Sequence, residues 1–200
     1  MTRNESYRQI SRGPTPGDVP LSDLPVIELS EQRLTEARKI ARQRSESYAN
    51  IDGGRLHGDQ TSQDAHLTGV IGELAVAELY SGSIDRKIYE EGDDGYDLLF
   101  DGTSIDVKTT QTTALTRPDL IVPTDPAPSA DYYYLVHWLE QNSARIVGYA
   151  SQDCVLDREP RRFPGTTQNY VVPPRELAIP SEYQPPQPVE QQLFFEAEFA

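Results

Sequence analysis

Apolar positions recur at helical spacing twice in the first half of the chain. Over 30–48, Leu34, Ala37, Ala41 and Tyr48 share one stripe behind Ser30, a residue suited to cap a helix N-terminus, so a first helix is predicted there. A second is predicted over 62–80, ending before Gly82. Its buried side is expected to carry Gly69, Gly72, Glu73, Val76 and Tyr80, and its solvent side Asp64, Thr68, Ala75 and Glu78, with Ile71 the odd apolar residue there. From residue 84 the pattern changes to short β-rich runs between turn signals. Strands are predicted over 84–89, 96–100, 103–109, 120–122, 132–138, 144–149 and 170–172. Two helices followed by mostly consecutive strands predict an α/β fold with a mixed sheet instead of a regular βαβ winding.

Outside this region the periodicity stops. Residues 1–27 hold Pro14, Pro16, Pro20 and Pro25 among Gly, Ser and Asp, and are expected to be a mobile arm. Residues 28–180 read as one domain. Residues 181–200 read as a Pro-rich tail with an aromatic tip at Leu193, Phe194, Phe195 and Phe199.

The dipeptide Asp101-Gly102 is a strong signal for a two-residue hairpin loop. Such a loop sets Phe100 opposite Thr103, Leu99 opposite Ser104, Leu98 opposite Ile105 and Asp97 opposite Asp106. Opposed residues, and residues two apart on a strand, share a face, so Asp97, Asp106 and Lys108 are expected to project together. Both faces of the hairpin read as partly apolar, which puts it at the centre of the sheet. Two carboxylates opposed at roughly 5 Å repel by about 3 kcal/mol at an effective dielectric near 20. A proton on one of them or a cation between them relieves this. Lys108 brings one charge on a long stem, and a divalent metal with oxygen ligands is the economical answer. An Asp–Lys pair at a solvated edge is the plainer alternative. Glu73, in the middle of the buried arc of the second helix, also needs a metal, a proton or a basic neighbour.

Composition changes the setting of this chemistry. The 200 residues carry 32 Asp and Glu against 18 Lys and Arg, a net charge of -14, and only Lys39, Lys87 and Lys108 are lysines. Such an acidic, lysine-poor chain is expected to be kept soluble in very high salt, and to need roughly molar KCl or NaCl to screen its self-repulsion. No stretch approaches the ~18 apolar residues of a membrane span. The first residues lack the apolar core of a secretory signal. Cys154 is the only cysteine, which excludes an internal disulfide and a Cys-based zinc site. A cytoplasmic protein without membrane contact is expected. His57, His66 and His137 lack zinc-site spacing, and no Gly-rich loop ends in Lys-Ser/Thr.

Gly69-Val70-Ile71-Gly72-Glu73-Leu74-Ala75, Gly95-Tyr96-Asp97-Leu98 and Ile105-Asp106-Val107-Lys108-Thr109, in that order, resemble the PD-(D/E)XK nuclease superfamily. That is the fold of many restriction endonucleases, Holliday-junction resolvases and phage exonucleases. The resemblance covers about residues 60 to 175. It implies a restriction-endonuclease-like core, with a central mixed β-sheet flanked by helices. It further implies that Asp97 and Asp106 hold Mg²⁺, with Mn²⁺ as a substitute, that Glu73 joins them, and that the Val107 carbonyl is a further ligand. Lys108 would position or activate the attacking water. Two departures stand out: Tyr96 precedes Asp97 where many members have Pro, and Gln111 is not followed by the Tyr of exonuclease-like branches.

The chemistry suits the residues independently. A metal held by carboxylates lowers the pKa of bound water and clamps phosphoryl oxygens. A lysine beside it can orient the nucleophile, whereas Arg, a permanent cation, cannot exchange a proton there. The expected function is a metal-dependent endonuclease acting on DNA. The alternative is a non-catalytic module of the same fold that binds nucleic acid or protein. A nucleic-acid partner of so acidic a chain needs a local basic surface, for which Arg38, Lys39 and Arg42 on the first helix and Arg161 and Arg162 in a later loop are the candidates. At molar salt counterion release adds little affinity. Besides DNA, a homodimer and a partner protein at the tail are the expected associations.

Overall fold

A computed structural model describes residues 19–48, 62–80, 95–100, 102–111 and 118–180. Most of the expected N-terminal arm, the expected strand over 84–89 and the expected tail from 181 lie outside the described residues. In chain order the elements are β1 (Val26–Glu28), α1 (Glu31–Tyr48), α2 (Ser62–Leu79), β2 (Leu98–Phe100), β3 (Thr103–Thr110), β4 (Leu120–Pro123), β5 (Tyr132–Glu140), β6 (Ser143–Ser151), α3 (Gln152–Leu156), β7 (Arg161–Arg162) and β8 (Gln168–Val172).

The fold is α/β with a mixed sheet. Its strand order is β1-β6-β5-β3-β2, with β3 and β5 parallel and the other neighbours antiparallel. Parallel neighbours require a long crossover, usually a helix. Here the connection from β3 to β5 contains β4, which belongs to a second sheet of order β4-β8-β7. Two cores result. One packs α1 and α2 against the larger sheet through Leu34, Ala37, Val70, Leu74, Ile105, Tyr134 and Ile146. The other lies between the larger sheet and the second, around Leu120, Val122, Tyr133, Leu135, Val147 and Val172, with Val155 of α3. Among the described residues the long helices cover one face of the larger sheet, and the second sheet with α3 covers the other. The central strand β5 shows why both faces are covered: Tyr132 to Val136 are all buried, alternating between the two cores.

Local signals act as expected at the ends of several elements. The Ser30 hydroxyl accepts the Arg33 N–H at 3.2 Å at the start of α1. Gly102, with φ +84, turns the β2–β3 hairpin, whose pairs Leu98–Ile105, Leu99–Ser104 and Phe100–Thr103 have the expected register. The N-terminal boundary differs, because Val26 and Ile27 already pair with Arg145 and Ala144 of β6 and Leu24 is buried.

Two expectations are corrected. Leu98, Phe100, Ile105 and Val107 all belong to the core beneath the helices, so the hairpin has one apolar face, and β2 is the outermost strand on its side among the described residues. The solvent side assigned to α2 is also mostly buried, since Thr68, Ile71 and Ala75 are all shielded. The reason is that α2 lies between α1 and the sheet and contacts both. A helix apolar nearly all round is a buried helix, and Ile71 is no longer anomalous. At Gly72 the helix comes so close to β3 that a Cβ there would stand 1.9 Å from Thr109 Oγ1.

Candidate active site

Strand alternation sorts the polar residues of β3. Thr103, Ile105, Val107 and Thr109 face α2, so Asp106 and Lys108 point to the opposite side of the sheet. There Lys108 Nζ stands 2.7 Å from Asp106 Oδ2, both side chains keeping some exposure. They line a cleft of about 380 Å³ together with Asp97, walled by Tyr133 and residues 126–129. Tyr133 donates no charge to it: burial, with Asp106 adding, pushes its phenol up to about 12.

Asp97 does not sit opposite Asp106 in the ladder. Its N–H donates to the Ile105 carbonyl at 2.8 Å, and its carboxylate accepts the Val107 N–H at 2.6 Å. The side chain thus takes the place of a strand partner where the backbone leaves β3. Gly95, at φ +82, makes that departure, and a Cβ on it would meet Ser129 Oγ at 2.2 Å. In a strand the N–H and C=O of one residue leave on the same side, so the Val107 carbonyl also faces Asp97.

Glu73 approaches from the other face. Its carboxylate is almost wholly buried, 3% exposed, and is gripped by Arg44 of α1, with Nη1–Oε1 at 2.6 Å and Nη2–Oε2 at 2.9 Å. Of the three ways to bury a carboxylate, the fold supplies the basic neighbour. His66 lies within reach of the same guanidinium: burial and the Arg44 charge hold its imidazole below the ordinary value. Arg44 is the functional-site residue that sequence reasoning missed. Its only signal was the requirement that Glu73 have a partner, and 15 arginines satisfy that equally.

The electrostatics converge on Asp97. Burial, then the charges of Glu73 and Asp106, push its carboxyl well above the ordinary range, against a smaller lowering from the Val107 N–H and Lys108. Two cations serve three carboxylates: Arg44 pairs with Glu73 and Lys108 with Asp106, while the hydrogen bond of Asp97 is to a neutral N–H. Among the described residues, no three His, Cys, Asp or Glu side chains stand together at metal-ligand spacing. The structure therefore brings Asp97, Asp106, Val107 and Lys108 to one cleft, and leaves Glu73 behind the sheet edge, acting on Asp97 through its charge.

The candidate basic residues separate. Arg38 and Lys39 are exposed on α1, and Arg42 there pairs with Glu46 at 2.7 Å. That helix packs on α2, across the sheet from the cleft. Arg161 and Arg162 are exposed on β7, in the layer that borders the cleft. No helix among the described residues is long and apolar enough to cross a membrane. Compared with family models, curated proteins and solved structures, the chain matches none.

Proposed function

We propose that the chain is a divalent-metal-dependent endonuclease hydrolysing phosphodiester bonds in DNA, on a restriction-endonuclease-like core. The observation that carries this reading is Asp97, a third carboxylate beside two ion pairs, its pKa raised, at a cleft that also holds Asp106 and Lys108. A hard cation with oxygen ligands fits such a donor set, Mg²⁺ first and Mn²⁺ in its place. Asp97, Asp106 and the Val107 carbonyl would hold it, with Glu73 contributing charge from behind. When bound, it supplies a hydroxide near neutral pH and neutralises charge on the phosphoryl oxygens.

The remaining work belongs to the chain itself. The Val107 N–H fixes the Asp97 carboxylate in one orientation. Asp106 holds the Lys108 ammonium at the cleft, where it can orient a water and offset charge developing on the phosphate. Arg44 holds the Glu73 carboxylate in place through two hydrogen bonds.

The test is cleavage of plasmid and oligonucleotide DNA in molar KCl with Mg²⁺ or Mn²⁺, by wild type, Asp106→Ala and Lys108→Ala. Both variants should fold and lose metal-dependent cleavage. In parallel, Mg²⁺ at about 100 times its Kd should stabilise wild type by about 2.7 kcal/mol, and leave Asp106→Asn nearly unmoved. Equal cleavage by all three proteins, or no divalent-dependent shift in the melting of wild type, refutes the reading. Binding of DNA without cleavage would instead favour the non-catalytic module.

A further inference from the structure

Lys108 borders two clefts. On the side away from Asp97 it shares with Thr110, Asp119, Ile121, Phe163 and Pro164 a larger one of about 630 Å³. Phe163 is one of the few large apolar side chains left open among the described residues, at 41% exposure. The Arg161 guanidinium stands 5.2 Å from its ring centroid and 3.9 Å from Asp119.

The backbone that carries the ring is tied down on both its N–H and its carbonyl. The Phe163 N–H donates to the Thr167 carbonyl at 3.3 Å, closing the turn between β7 and β8. The Asn169 amide, only 4% exposed, donates to the carbonyls of Phe163 and Thr167 at 2.7 and 3.1 Å. Arg161 stands over the ring, and Lys108, paired with Asp106, lines the same cleft as Phe163 and Asp119.

From this arrangement we infer that the second cleft is a nucleobase site: an unpaired nucleotide of a single strand stacks on Phe163, its phosphates running past Arg161 toward Lys108. The inference rests on the nuclease reading for the direction of the strand, not for the stacking itself. The cleft volume lies in the range of small-ligand sites, roughly 300–1,000 Å³. In a duplex the faces of each base are covered by its neighbours, so this aromatic platform is usable only by a base that is unpaired or extruded. The acidic composition adds a reason. At high salt phosphate contacts lose most of their counterion-release affinity, whereas stacking is not screened. A chain of net charge -14 binding DNA in such salt needs an aromatic platform more than an ordinary nuclease does. The substrate implied is a single strand, a flap or a frayed end.

The test uses the full chain in molar KCl with EDTA, so that cleavage cannot intervene. A fluorescein-labelled oligothymidylate and the same strand annealed to oligodeoxyadenylate are titrated by anisotropy. Wild type should prefer the single strand. Phe163→Ala should weaken single-strand binding roughly five- to hundred-fold, as loss of one base–aromatic stack does, and leave duplex binding unchanged. Phe163→Leu, which keeps apolar bulk without a π face, should lose the same factor, and Phe163→Trp should retain the affinity. Circular dichroism melts of each variant should match wild type. Wild-type affinity in Phe163→Leu, equal losses on single strand and duplex, or no single-strand binding by wild type overturns the inference. The nuclease reading is judged separately by Asp106→Ala: loss of cleavage there with intact binding by Phe163→Leu removes the base site alone, and Phe163-dependent binding without cleavage by wild type removes the nuclease alone.

Discussion

Replacing Arg44 by Ala tests the claim that the buried charge of Glu73 is held by a partner 29 residues away in sequence. The pair is bidentate, at 2.6 and 2.9 Å, with the Glu73 side chain 4% and the Arg44 side chain 31% exposed. Removing one member of a fully buried ion pair costs about 3–5 kcal/mol, because the other charge is left without compensation. Arg44 is nearly one-third open to water, which can enter the vacated space, so the expected loss is roughly 2–4 kcal/mol. An internal reference is at hand on the same helix. Arg42 and Glu46 also form an ion pair, at 2.7 Å, but with 74% and 62% exposure, so solvent and salt screen it and it contributes little to stability. Urea denaturation at constant high salt measures both. With an m-value of about 2 kcal/mol/M, Arg44→Ala should lower the midpoint by roughly 1–2 M while Arg42→Ala barely moves it. Salt sharpens the contrast, since exposed pairs are screened and buried ones much less so. Exchanging both partners for apolar residues of similar volume, Arg44→Met with Glu73→Leu, should recover most of the loss. An Arg44→Ala midpoint no lower than that of Arg42→Ala would refute the account of how Glu73 is buried.

Two further perturbations address Asp97 and the helix packed on β3. Burial and two neighbouring carboxylates raise Asp97 in the folded state, so between the unfolded value near ~3.9 and the raised folded value the native protein binds the extra proton, and stability falls as pH rises through that window. Asp97→Asn keeps an oxygen for the Val107 N–H and removes the charge; without divalent ions it should melt above wild type at neutral pH and together with it in acid, and thermal melts showing the two equal at neutral pH would sink this electrostatic account. Gly72→Ala should destabilise by about 1–3 kcal/mol although Ala is the better helix former by about 1 kcal/mol, because its Cβ would fall 1.9 Å from Thr109 Oγ1 and 3.2 Å from Cγ2. Adding Thr109→Ala, which removes both atoms and a buried hydroxyl without a partner among the described residues, should restore most of the stability by chemical denaturation, and a stable single variant would show that the helix is free to shift.

What could be read from the sequence was whatever short-range chemistry determines. Ser30 at the start of α1, the helical spacing of α2 and the Asp-Gly turn are each settled within a few residues, and strand alternation alone places Asp106 and Lys108 on one face. Opposition of Asp97 to Asp106 failed by one residue, since the ladder ends at Leu98 and the Asp97 carboxylate itself bonds the next N–H, a choice between backbone and side chain that alternation does not encode. Which charges meet was decided by the tertiary structure. Arg44 reaches Glu73 only because α1 lies across α2, and Asp97 is perturbed because the fold buries it and brings Glu73 and Asp106 to the sheet edge from opposite faces. Phe163 comes to share a cleft with Lys108 because β4 pairs with β8 in a second sheet packed against the first, a pairing that the two expected strands did not themselves reveal. Periodicity reports which side of an element is apolar. It carries no label for the layer that will cover that side, because burial is satisfied equally by a helix or a sheet, and the identity of the covering layer is set by contacts between segments far apart along the chain.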